Sequence, residues 1–275
     1  MLGIYIHWPF CIAKCPYCDF NSRAAPAIDF ARWQAALARD LAAYVPLTAK
    51  RAVDSVFFGG GTPSLMPPEM VAALLAAVRA HWTMSEDAEV TLEANPSTVD
   101  RGRFQDLRAA GVNRLSIGVQ SFADDALRFL GRTHSAAEAR AAVETAHAVF
   151  PRVSFDLIYG LPGQTAAAWA EALTDALNCA GEHVSSYQLT IAPGTPFALR
   201  GIQAADEDLG LALFATTQDV LARAGFAAYE LANHARGSAV CGHNVAIWRG
   251  GDYLAGGPGA HGRLTLGEAK VATRQ

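Results

Sequence analysis

Short β-branched runs alternate with longer amphipathic stretches along most of this 275-residue chain, and that alternation restricts the fold more than any other feature. The runs IYIH (4–7), SVFFG (55–59), EVTLEA (89–94), RLSIGV (114–119), VSFDLI (153–158) and SSYQLT (185–190) are expected strands. Between them, apolar residues recur at helical spacing. Phe30, Trp33, Leu37 and Leu41 share one face behind a capping Asp29, and Met70, Val71, Leu74, Leu75, Val78 and Trp82 make a second stripe. Asp100 opens a third helix, which Gly111 closes from the position after the cap, where glycine accepts a left-handed backbone. Ser135 and Glu138 form a capping box, Thr165 precedes Trp169, Leu173 and Leu177, and a further helix is expected from about 206 to 224. Repeated strand–helix units place parallel strands in one sheet with helices outside it. Six units are too few for a closed eight-stranded barrel, so the expected fold is α/β, a partial (β/α)6 barrel. Residues 1–230 are expected to form this core. Residues 231–275 read as a glycine-rich extension that ends in a polar tail with no closing element.

The chain is 51% hydrophobic, enough to bury a large core. Its net charge of −4, with only 17% charged residues, gives no sign of a nucleic-acid binder or of a strongly cationic membrane binder. A homodimer and a peripheral membrane contact are both compatible with this composition. The opening residues MLGIYIHWPF lack a basic leader and read as a strand rather than a signal peptide. No run reaches the roughly 18 uninterrupted apolar residues of a membrane-spanning helix. The expected compartment is therefore the reducing cytoplasm, where cysteines bind metal or react more often than they pair.

In barrels of this kind chemistry sits where the strands end. Tyr5 and His7 close the first run, Gly59 to Thr62 follow the second, and Glu93 and Asn95 end the third. Gln120 ends the fourth, Asp156 lies in the fifth, and Gln188 and Thr190 lie in the sixth. Any one of these alone is more often a satisfied buried polar group or a cap. Their recurrence at the same place in six units points to a shared site. The glycines of FFGGGTPS would let a ligand approach the backbone and would offer free N–H groups. The bland reading is a tight turn, and neither a Walker nor a dinucleotide fingerprint is present. GLPGQT (160–165) reads as a turn that ends in the Thr165 cap.

Three of the five cysteines, Cys11, Cys15 and Cys18, lie in one C-x3-C-x2-C loop after the first strand. Thiolates select zinc or iron–sulfur clusters. With His7 as a fourth ligand they would suit a closed structural zinc. On a [4Fe–4S] cluster they would leave one iron open to a ligand from outside the protein.

That spacing, with Tyr17 before the last cysteine, resembles the signature of the radical S-adenosylmethionine superfamily. GGGTPS is similar to that family's loop for the methionine amino group. YIHWPFC, KCPYCDFNS, LEANP, RLSIGVQSF, LGRTHS and FDLIYGLPGQT together resemble the branch that holds oxygen-independent coproporphyrinogen III oxidases and HemW-type heme chaperones. The resemblance covers about residues 4–263. It implies a radical-SAM partial barrel, a [4Fe–4S] cluster on Cys11, Cys15 and Cys18, and S-adenosylmethionine held by Tyr5, Gly60, Gly61, Thr62, Glu93, Gln120, Arg132 and Asp156, with Thr190 a weaker carry-over. The oxidases resemble C-x3-C-x2-C-x-C and carry a longer leading segment. This chain has Phe20 at the fourth position and begins its first strand at residue 4, which favours the chaperones. CGHNVAIW (241–248) is similar to their H-N-x-x-Y-W heme motif, with Ile247 in place of the tyrosine. It implies His243 as a heme ligand, with Cys241 a second candidate. From the residues alone, His243 is a backbone-bonded loop histidine and Trp248 a core residue. His261 and Cys179 read as structural. Family members continue into a C-terminal helical domain, so the chain is expected to be a shortened one. The expected function is a heme chaperone that passes heme to respiratory or other hemoproteins, with radical chemistry secondary and no nucleic-acid partner. The alternatives are a coproporphyrinogen oxidase and a zinc-stapled binding module.

Overall fold

The computed structural model describes residues 2–48 and 51–275. In chain order its strands are β1 (Leu2–Trp8), β2 (Phe10–Cys11), β3 (Arg23–Ala24), β4 (Ala52–Gly60), β5 (Thr83–Ala94), β6 (Arg114–Gln120), β7 (Arg152–Tyr159), β8 (His183–Gln188), β9 (Ala227–Ala228), β10 (Asn233–Ala235), β11 (Tyr253–Gly256), β12 (His261–Leu266) and β13 (Ala269–Arg274). The helices are α1 (Phe30–Ala42), α2 (Val45–Thr48), α3 (Pro68–His81), α4 (Arg101–Ala109), α5 (Asp124–Phe129), α6 (Ala136–Val149), α7 (Ala166–Leu177), α8 (Pro196–Leu199), α9 (Glu207–Arg223) and α10 (Gly242–Trp248). The six expected strands are β1 and β4 to β8. They lie side by side in sequence order and every neighbouring pair is parallel, as the α/β partial barrel requires.

The helix starts follow their caps. Asp29 accepts from the Arg32 N–H, Asp100 from Arg103 and Thr165 from Ala168, and the Ser135–Glu138 box closes in both directions. Each such cap contributes about 0.5–2 kcal/mol. Gly111 follows the α4 cap with φ 110°, a conformation that excludes most side chains.

Strand parity divides the molecule into two environments. Ile4, Ile6, Val56, Phe58, Leu92, Leu115, Ile117 and Phe155 are buried in one core with Leu37, Leu74, Val78 and Leu107 from the outer helices. The alternate positions, Tyr5, Phe57, Glu93, Arg114, Ser116, Asp156 and Ser185, line the bore. The outer face therefore carries the hydrophobic stabilisation and leaves the bore free for polar side chains.

Residues 231–275 do more than the sequence indicated. β10 pairs antiparallel with β8, while β11 pairs parallel with β1 and continues into the β11–β12–β13 meander. One segment thus extends the sheet at both edges. α10, the link between those edges, crosses the bore at the N-terminal ends of the strands, where its first turn meets Glu89 on β5. Strand partners this far apart in sequence leave no local periodicity, which is why the segment reads as irregular. No helix among the described residues is long and apolar enough to cross a membrane.

Candidate functional site

The C-terminal ends of the barrel strands surround a cavity of about 690 Å³. Cys11, Cys15 and Cys18 form one wall, and Gly60, Gly61, Thr62, Glu93, Gln120, Arg132, Asp156 and Thr190 line the rest. Every residue expected at the S-adenosylmethionine site is present except Tyr5. Thr190 lies two residues beyond the end of β8, on the following loop. Gln120 has φ 71°, a left-handed conformation that a non-glycine residue holds at a cost of about 1–3 kcal/mol when its surroundings impose it.

The cysteine loop is tied down at several points. Cys11 ends β2, which pairs in parallel with β3. The Cys18 N–H donates to the Cys15 carbonyl at 3.1 Å, and Lys14 Nζ donates to the Phe20 carbonyl at 3.0 Å. The Phe197 N–H donates to the Pro16 carbonyl at 3.0 Å. Cys18 Sγ lies 3.8 Å from the Ser22 hydroxyl, and burial raises the pKa of its thiol. All three cysteines are half-exposed toward the cavity.

The glycines after β4 serve a different purpose from the one expected. The Gly60 N–H donates to Glu93 Oε2 at 3.0 Å, Gly61 to the Trp8 carbonyl at 2.7 Å, and Thr62 to the Phe10 carbonyl at 2.8 Å. None of these three N–H groups is left for a ligand. A Cβ on Gly60 would lie 2.6 Å from the His7 ring, and one on Gly61 would lie 2.6 Å from the Phe10 carbonyl. The run is glycine because the chain leaving β1 packs against it. It reaches a ligand through the lining surface it leaves open.

Glu93 and Asp156 are the acidic pair of the bore. Burial raises the Glu93 pKa to about 8, with the neighbouring Asp156 charge adding to the shift. Burial raises Asp156 to about 6, against the opposing effects of Ser185, Arg114 and Ser116, whose hydroxyl donates at 3.3 Å. Two carboxylates with ordinary jobs would not be held in such a place, and the pair marks a site for donors such as hydroxyl or amino groups.

The cysteines suit a cluster better than a zinc ion. Among the described residues no three His, Cys, Asp or Glu side chains converge as ligands of a single metal ion do. A mononuclear zinc needs all its donors within about 2.0–2.3 Å of one point, whereas a [4Fe–4S] cluster takes each thiolate on a different iron. His7 is also spent. Its Nε2–H donates to the Asn21 carbonyl at 2.9 Å, so Nδ1 accepts the Tyr5 hydroxyl at 3.1 Å. These contacts weigh against His7 as the fourth ligand of the zinc alternative. They also explain Tyr5, which shares its strand face with His7 and spends its hydroxyl on that ring.

Below the carboxylate pair lies a second chamber of about 220 Å³, lined by Tyr5, Phe57, Glu93, Asp156 and His243 among others. Here lies the residue expected to bind heme. His243 is 2% exposed, its ring lies 5.0 Å from that of Phe57 and 6.2 Å from that of Tyr253, and its Nδ1 is 3.0 Å from the Ser55 hydroxyl. Burial lowers its pKa to about 4, so it is neutral at physiological pH. The chamber is smaller than the ~300–1,000 Å³ of ordinary small-molecule sites, and the Nε2 of His243 is buried there without a hydrogen-bond partner. Cys241 is buried with its thiol 3.2 Å from Glu89 Oε1. Trp248 at the other end of α10 is 57% exposed, the reverse of the bland expectation for this pair.

Glu89 is the residue that sequence reasoning missed. It accepts the N–H groups of Gly242 and His243 at 3.1 and 3.2 Å and the Arg152 guanidinium at 2.7 Å, with Arg114 4.0 Å away. These cations lower its pKa against the opposing effect of burial. A lone Glu at the start of an expected strand carries no signal of this, since its partners come from residues 114, 152 and 242–243. Tyr187, Phe214 and Leu231 also line the upper cavity unforeseen. His261 is exposed at the start of β12, and Cys179 is half-buried with the Arg140 guanidinium 3.1 Å from its sulfur.

The family model of the Radical SAM superfamily matches residues 5–176. A mitochondrial protein of Bos taurus named radical S-adenosyl methionine domain-containing protein 1 is 43% identical over 99% of this chain, which covers 63% of that relative. The heme chaperone HemW of Haemophilus influenzae is 42% identical over 98% of this chain, which covers 72% of it. Among solved structures, the coproporphyrinogen III oxidase HemN of Escherichia coli, itself described as a radical SAM enzyme, superposes with a TM-score of 0.83 at 26% identity, over 99% of this chain and 66% of that one.

Proposed function

The chain belongs to the radical SAM superfamily, in its HemW-like group, and from that premise we propose that it is a heme chaperone. In this reading Cys11, Cys15 and Cys18 hold a [4Fe–4S] cluster, the upper cavity takes S-adenosylmethionine, and heme is received and passed to acceptor hemoproteins, respiratory or other. The observation that carries the choice of chaperone over oxidase is Phe20. It stands 58% exposed on the wall that carries the three cysteines, at the position where the oxidases are expected to have a fourth cysteine.

When bound, a cluster on three cysteines leaves one iron for a ligand from outside the protein. The chain's own residues do the rest. Glu93 and Asp156 accept from donors of the nucleoside, and Arg132 meets anionic groups. Burial of the carboxylates makes their hydrogen bonds strong once a ligand excludes water. Five free cysteines fit a reducing compartment such as the cytoplasm.

Heme is placed at a surface other than His243, because that imidazole is 2% exposed beside a chamber of about 220 Å³, below the size of ordinary small-molecule sites. Phe20, Phe214 and Leu231 line the mouth of the upper cavity at 58%, 37% and 65% exposure, and a porphyrin face would cover them. The test is a hemin titration of the anaerobically reconstituted chain, followed by its Soret band. Saturable binding is expected, unchanged in His243→Ala and weakened at least several-fold in Leu231→Asp. No specific binding by protein that holds its cluster would turn the reading to the oxidase, whose fold this chain shares with a TM-score of 0.83. Anaerobic turnover of coproporphyrinogen III would then decide.

A further inference from the structure

Arg132 is a half-buried cation on the wall of the upper cavity. Its Nη1 lies 3.2 Å from Cys15 Sγ and 3.5 Å from the Tyr17 hydroxyl, and its Nη2 donates to the Gly118 carbonyl at 2.7 Å. Among the described residues no Asp or Glu forms an ion pair with it. Asp156 feels the Arg132 charge without a hydrogen bond to it, so the Cys15 sulfur is the cluster-ligand atom in direct contact with the guanidinium.

The contact is built into the fold. Gly131 precedes Arg132 with φ 66°, and a Cβ there would lie 2.6 Å from Pro16 Cδ. The Arg132 N–H donates to the Leu127 carbonyl at 2.9 Å, which fixes the turn that follows α5. The turn therefore lies directly on the cysteine loop, and only glycine at 131 allows that approach. The next side chain then reaches a sulfur 117 positions earlier in sequence.

We infer that Arg132 is a positioning residue that sets the reduction potential of a [4Fe–4S] cluster on Cys11, Cys15 and Cys18, by donating to the Cys15 sulfur. The inference rests on the cluster assignment made above. Reduction brings one electron from an external one-electron reductant into the cluster, no proton moves, and negative charge on the sulfurs rises. An N–H donor and a positive charge at the sulfur stabilise the reduced form more than the oxidised one, so they raise the potential. The structure concentrates this effect on the middle cysteine of the loop.

The experiment is an EPR-monitored redox titration of the reconstituted full chain with dithionite, without S-adenosylmethionine, beside Arg132→Met and Arg132→Lys. Iron and acid-labile sulfide are measured on each sample. The Met variant is expected at a more negative potential than wild type. Lys keeps the charge and loses the planar fork, and is expected between the two. A Met variant with a full complement of iron and sulfide and an unchanged potential overturns the inference. If Met fails to hold a cluster, the Lys variant decides: a negative shift supports the inference and an unchanged potential overturns it. Wild type that takes up neither iron nor sulfide overturns the cluster assignment and this inference together, whereas a loaded cluster with unmoved potentials overturns this inference alone.

Discussion

At the scale of single residues, the bore is defined by groups whose ordinary ionisation is opposed. Glu93 has its pKa raised from 4.5 to about 8, chiefly by burial. In the folded chain it therefore keeps a proton that the unfolded chain gives up. Between these two values the folded state binds more protons, so stability falls as pH rises through that window. Buried histidines such as His243 and His134, both lowered to about 4, work in the opposite direction over the same range, so the test is a comparison with Glu93→Gln. Without cofactor, wild type is expected to lose stability relative to Glu93→Gln between pH 5 and pH 8, which urea titrations of both proteins at several pH values would show. An equal slope in the variant would mean that Glu93 titrates normally. Asp156, raised to about 6, adds a smaller contribution of the same sign. Both carboxylates were legible as candidates because Glu93 ends one expected strand and Asp156 lies in another, whereas their ionisation was not, because it depends on what surrounds the bore.

At the scale of elements, α10 closes the floor of the barrel and Glu89 holds it there. The carboxylate joins β5 to α10 through two backbone N–H groups and the Cys241 thiol, and to β7 through Arg152. Glu89→Ala would leave the first turn of α10 without its acceptor and would take the carboxylate from the Arg152 and Arg114 guanidiniums. The expected cost is about 3–5 kcal/mol, as for a buried charge network that loses one member. Glu89→Gln, which still accepts, should cost less. Urea unfolding followed by circular dichroism measures both, and a loss below 1 kcal/mol in the Ala variant would show that α10 docks without this anchor. The boundaries of the longer helices were readable because caps are local: Asp29, Asp100, Ser135 and Thr165 each act within three residues. The docking of α10 was not readable, since the seven residues of the helix say nothing of the carboxylate beneath them.

For the whole molecule, the two chambers divide the work. The upper one gathers the cysteines, the glycine turn and the carboxylate pair, and the lower one fills the bore with His243. If the upper cavity takes S-adenosylmethionine only with a cluster present, the ligand should raise the Tm of the reconstituted chain, and leave that of Cys15→Ser unmoved. At a hundredfold excess over Kd the stabilisation is about 2.7 kcal/mol. Differential scanning calorimetry under anaerobic conditions would measure it. An equal rise in both proteins would place the ligand away from the cysteine wall.

The chain's own order of residues determined the six parallel strands, the capped helices between them, and the polar strand ends, because period-2 and period-3.6 patterns and cap chemistry act over a few neighbours. It also determined the cysteine spacing and the presence of Phe20 beside it. Tertiary structure alone decided the rest. Tyr5 turned to His7 because the two share a strand face, the three glycine-turn N–H groups were taken by Glu93 and by the chain leaving β1, and Arg132 came to rest on Cys15. His243, an expected heme ligand, became the plug of the lower chamber because residues 233–274 pair with both edges of the sheet and draw α10 across the bore. Apart from the Tyr5–His7 contact, these outcomes depend on contacts between residues tens to hundreds of positions apart, and such contacts leave no trace in the local pattern of a sequence.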